Sequence, residues 1–297
     1  MGPPSKVTDD KWGETRVRGQ FRTITIITSA VAQIAAVVLC FCVTAAAATV
    51  DDLYQARTIV TGEREETRIP GIAACFNDVL VKVSGDPRLI GDPRIAAMSD
   101  QAASYVRDYR YHDRMEGIPI HDEQGSRDRP YDLTVTFEPG KIDTALVALG
   151  REPWGAVRPR IALFVSVRLG TIAYVLATDG SLGRDQRDSL AAASWQMGMP
   201  IVLPDEAALA AAGVSTRSLP KLDPARLDRV AGAIGGDLPL SGELIWEKRK
   251  EGWLANWRLN SSGNTYRWQI RDVNFDDAFR SAMRGAAQIL SGNGVPE

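Results

Sequence analysis

The only imidazoles in this chain of 297 residues are His112 and His121, and both fall within residues 112–130 together with Asp113, Glu116, Asp122 and Glu123. Imidazoles and carboxylates are the groups that hold divalent metals or move protons near neutral pH. Their spacing here fits no established ligand pattern, and Gln124, Gly125, Ser126 and Arg127 follow where a further ligand would be wanted. The stretch therefore reads as a long solvated connection between two strands, with contact to a partner as its functional alternative.

Other chemistry has still less support. A serine nucleophile needs a strained strand-to-helix turn, and no G-x-S-x-G occurs. Residues 180–183 (GSLG) lack the phosphate-binding pattern. Cys40 and Cys42 precede residue 48, which leaves Cys75 without a disulfide partner in the rest of the chain. Asp272, Asp276 and Asp277 gather where the last helix should begin, and there carboxylates complement the helix dipole. The sequence thus assigns no catalytic residue, no cofactor and no metal.

Aromatic residues offer the remaining site. Trp253 and Trp257 share one face of an expected strand, and Tyr266 and Trp268 continue the theme on the next. Such a ladder suits a glycan or a peptide. Its plainer reading is a sheet face packed under the last helix, with Phe279 and Met283 as partners. Trp154, beside Pro153, Gly155 and Pro159, is either a plug at a domain junction or a ligand platform. The candidate interaction surface is therefore His112, His121, Trp154, Trp253 and Trp257.

The elements that must position these residues alternate between helix and strand. Ile72, Cys75, Phe76, Val79, Leu80 and Val83 recur at spacings of three and four, an apolar helical face ended by Gly85, and Cys75 on it is a buried small hydrophobe. Leu133, Val135 and Phe137 alternate with Thr134 and Thr136, a strand with one wet side. Residues 161–167 (IALFVSV) are apolar throughout except Ser166, as a strand covered on both faces would be. A helix opens at Asp223-Pro224, and a meander over residues 240–247, 253–259 and 266–271 precedes a last helix from residue 275. The fold class is α+β, with two small mixed domains expected at residues 49–152 and 153–297, each a sheet packed by helices.

Residues 23–48 carry no charge and follow Arg16, Arg18 and Arg22. A basic flank, a long apolar run and Ala46 and Ala48 at its end describe an export signal cleaved near Ala48, or a helix anchored in the inner membrane with residues 1–22 in the cytoplasm. Either way the bulk of the chain is expected in the periplasm. Beyond residue 48 it carries 30 Lys and Arg against 34 Asp and Glu, which argues against a nucleic-acid partner.

Residues 79–89 (VLVKVSGDPRL), 95–112 (IAAMSDQAASYVRDYRYH), 133–139 (LTVTFEP), 154–167 (WGAVRPRIALFVSV) and 252–259 (GWLANWRL) together resemble the bacterial family named domain of unknown function 2066, over about residues 52–290. The resemblance implies an exported envelope protein without assigned activity. Pro70-Gly71 departs from it near the first helix start, and Pro239 departs where a strand begins, suggesting an edge strand. Residues 158–290 resemble, at fold level, the amino-terminal module of TolB-like periplasmic proteins, which implies docking of other proteins. The reading is a non-catalytic interaction or assembly factor with an envelope protein partner. A glycan or small-molecule binder is its alternative, and an envelope hydrolase or metal-dependent enzyme is a weaker one.

Overall fold

The computed structural model describes residues 48–118 and 128–296. The expected export segment, residues 23–48, lies outside them except for its last residue, and among the described residues no helix is long and apolar enough to cross a membrane.

Among the described residues, a six-stranded and a three-stranded sheet are packed with seven α-helices. The chain enters through a two-residue strand β1 (Ala48–Thr49), which pairs antiparallel with β5 (Val157–Arg158). The smaller sheet has the order β2-β4-β3, from β2 (Gln55–Thr61), β3 (Val106–Asp113) and β4 (Pro130–Phe137), all antiparallel. Helix α1 (Glu65–Ser84) covers it, burying Ile72, Cys75, Phe76, Val79, Leu80 and Val83 against Leu133, Val135 and Phe137. The apolar spacing in the sequence produces this face directly. Helices α2 (Pro93–Ser99) and α3 (Pro139–Ala148) complete this half.

Pro70 sits inside α1 rather than at its start. The helix begins five residues earlier, with Glu65 and Glu66 in the first turn where acidic groups favour the dipole, and proline here forgoes only one backbone bond. Gly71 explains why the pair is placed there. A Cβ at Gly71 would come within 2.8 Å of both Leu133 Cδ2 and Val60 Cγ1, so only glycine lets the helix settle onto β2 and β4.

The larger sheet has the order β11-β10-β9-β6-β7, from β6 (Ile161–Leu169), β7 (Ile172–Val175), β9 (Leu238–Glu247), β10 (Gly252–Ser261) and β11 (Asn264–Val273), with β8 (Ile201–Val202) also pairing β6. Helices α4 (Arg184–Met197) and α7 (Phe275–Leu290) lie over one face. Helices α5 (Glu206–Ala211) and α6 (Pro224–Ala233) lie over the other, around Phe164, Leu209 and Leu227. β6 is accordingly buried from Ile161 to Val167.

Two expectations change. Pro239 lies in a central strand, since β9 pairs β10 on one side and β6 on the other. The β9–β10 register starts at Leu240↔Leu259, so Pro239 stands beyond it and its missing N–H is not needed there. Nor do residues 49–152 and 153–297 have separate cores. One cluster runs from Leu53, Phe76 and Leu133 through Leu163 and Leu190 to Trp257 and Phe279, and residues 47–297 form one compact unit.

Candidate functional site

Two buried cations fasten the halves together. Arg158, on β5, has no exposed surface. Its Nη1 donates to the carbonyls of Met197 (2.7 Å) and Gly198 (3.1 Å), its Nη2 to those of Lys82 (2.8 Å) and Trp154 (3.1 Å), and its Nε to Gly155 (3.2 Å). Met197 ends α4 and Lys82 lies in the last turn of α1, so the guanidinium rests on the negative ends of two helix dipoles. Among the described residues no carboxylate is paired with it. Burial still brings it down to about 10.

Lys82 is 1% exposed although it stands between Val81 and Val83 on α1. Its ammonium donates to the carbonyls of Asp52 (2.9 Å) and Gln55 (3.2 Å) and lies 3.5 Å from the Asp52 carboxylate. Burial pushes it down to about 8, against the opposing pull of Asp52. Both Lys82 (4.4 Å) and Arg57 (5.1 Å) lie close to the ring centre of Trp195 on α4, within cation–π distance. Nearby, the fully buried Asp86 receives Arg88 at 2.8 Å and Arg151 at 2.6 Å. Burial alone would raise that carboxyl, but the hydrogen bonds from Arg88 and Arg151 hold it below its usual range.

Trp195 also lines a cleft of about 370 Å³ between the small sheet and the helices α4 and α7. Arg57, Thr58 and Ile59, three consecutive residues of β2, form one wall, and Trp195 and Gln196 belong to the other. Residues from both faces of β2 border the cleft, so its unpaired edge does too, because β2 bonds only to β4 among the described strands. Arg114 lies 3.7 Å from Asp132, and Arg280 bonds Asp277 at 2.6 Å. Arg57 contributes a cation held by the ring alone among the interactions of the described residues.

The residues singled out from sequence are not brought together. His112 is exposed on β3, its Nδ1 3.9 Å from Glu116, while His121 lies outside the described residues. No group of three His, Cys, Asp or Glu that could hold a metal occurs among the described residues. Trp253 and Trp257 are 6% and 2% exposed, so they present no surface to a ligand. Trp257 packs 6.2 Å from Phe279 on α7, and Trp253 meets Trp246 edge-on at 5.3 Å. Trp154 is half-buried under Arg158 at 4.1 Å and donates its backbone N–H to Val83, as a structural plug of the joint. Of the three aspartates, Asp276 and Asp277 lie in the first turn of α7, whereas Asp272 belongs to β11 and bonds Lys250 at 3.2 Å. Sequence reasoning missed Lys82, Arg158 and Trp195. The lysine inside a valine run and the single aromatic of α4 were the available signals; Arg158 had none.

Residues 47–155 match the family model described as a domain of unknown function, DUF8605. This is a different family from domain of unknown function 2066, and the match covers little more than a third of the chain. The stretches that carried the earlier resemblance are packing and turn patterns, which recur wherever helices pack on small antiparallel sheets. The match runs from β1 to Gly155, so the segment ends inside the joint, three residues before Arg158. No curated protein and no solved structure matches the chain.

Proposed function

We propose that the chain is a contact protein of the cell envelope that receives an extended segment of another envelope protein beside β2, without turning over a substrate. The observation behind this reading is the open edge of β2, which forms one wall of the 370 Å³ cleft while α4 and α7 form the other. A segment entering there adds a strand, with its backbone pairing β2 and alternate side chains meeting the cleft walls. Ile59, 55% exposed, offers an apolar contact. The lining carries Arg57, Arg114 and Arg280 against Asp132 and Asp276, one positive charge in excess, which favours an acidic residue in the partner. The uncharged run of residues 23–48 behind three arginines supports delivery to the periplasm or anchoring at its membrane.

The test is capture of the tagged full-length chain from its own membranes and periplasm, with the intact mass of the bait measured. A single partner at fixed stoichiometry, lost from both Arg57→Glu and Ile59→Asp while the melting temperature of each variant holds, is the expected result. Absence of a stoichiometric partner, or one retained by both variants, overturns it.

A further inference from the structure

The face of the larger sheet turned away from α7 carries a second feature, independent of the cleft. Register places Ser241 of β9 opposite Arg258 of β10, and Arg258 opposite Arg267 of β11. Two arginines thus stand opposite each other on neighbouring strands, an arrangement of like charges that repels. They line an open pocket of about 170 Å³ with Ser241, Glu243 and Asn256, closed at one end by Leu219 and Pro220 of a 3₁₀ turn.

Two of the polar groups of this pocket already have partners outside it. Glu243 pairs with Arg168 at 3.0 Å, so its charge is already answered. The Asn256 carbonyl oxygen accepts from Gln269 at 2.5 Å. Arg258 donates Nε–H to Ser241 Oγ at 3.1 Å, but its Nη2 is withdrawn from solvent and has no acceptor among the described residues. Buried donors are nearly always satisfied, and leaving one open beside a like charge costs stability. Burial, and after it the charge of Arg267, lowers the Arg258 guanidinium.

We propose that Arg258 and Arg267 form a receptor for one small oxyanion, a carboxylate or a phosphate, which accepts from Arg258 Nη2 and lies between the two guanidinium groups. The planar guanidinium matches both oxyanions in a two-point fork, which a point charge such as lysine does not. Ser241 holds Arg258 in place as a positioning residue.

Titration calorimetry of the full chain with inorganic phosphate and, separately, with acetate, at constant ionic strength, tests this. Saturable binding of either anion is expected, and which one binds identifies the ligand as phosphoryl or carboxylate. Arg267→Met, an exposed position that the fold tolerates, weakens binding at least tenfold. Arg258→Met abolishes it, and Arg271→Met, outside the pocket on the same strand, leaves it unchanged. No saturable binding of either anion, or binding undiminished in Arg267→Met, overturns the proposal.

Discussion

Lys82 makes the stability of this protein depend on alkaline pH in a direction that identifies its cause. Its ammonium is nearly solvent-free and is lowered from 10.5 to about 8 by burial. Between those values the unfolded chain holds a proton that the folded chain has released, so stability rises with pH across the window. Below pH 8 the folded state carries the full cost of the buried charge, roughly 3 kcal/mol. Lys82→Met removes the proton and with it this slope, at the separate, pH-independent cost of leaving the Asp52 and Gln55 carbonyls open. Cys75 and Tyr54, each pushed up to about 12 chiefly by burial, act with the opposite sign above their ordinary values. They are present in both chains and cancel in the comparison. Denaturant unfolding of wild type and Lys82→Met, followed by tryptophan fluorescence from pH 7 to 10.5, should show the stability difference moving by roughly 3 kcal/mol in favour of wild type. A difference that stays constant with pH would refute the claim that burial governs Lys82.

Two further outcomes follow from the packing. Arg158→Met leaves carbonyls at the ends of α1 and α4 without their shared donor and should cost about 3 kcal/mol or more in chemical unfolding, since each buried open carbonyl costs about 1–3 kcal/mol; a loss under about 1 kcal/mol would show that water replaces the guanidinium there. Gly242→Ala places a Cβ 2.1 Å from Trp257 Cζ3 and should lose about 1–3 kcal/mol while shifting the tryptophan emission; unchanged stability and emission would mean that the ring has room to move.

Much of this fold is legible in local pattern, and the joint is not. The stripe from Ile72 to Val83, the alternation of Leu133, Val135 and Phe137, and the apolar run Ile161–Val165 of β6 each state their burial in their own spacing. Prolines misled because their tolerance depends on distant partners. Pro70 is accepted where Gly71 must approach β2 and β4, and Pro239 where the β10 register has ended. The joint joins Asp52, Arg57, Lys82, Trp154, Arg158 and Trp195, residues with no mutual spacing to read. Trp253 and Trp257 admitted both a binding ladder and, more plainly, a face packed under the last helix, because strand alternation fixes a shared face but says nothing of what covers it. Phe279 and the helix that carries it do.

The contact reading stands most directly on the edge of β2. A photo-reactive amino acid at Ile59 in the full-length chain, compared with the same group at exposed Val147 on α3, should give one discrete protein adduct in cells from Ile59 alone. Adducts of equal yield from both positions, or none from Ile59, would contradict the account.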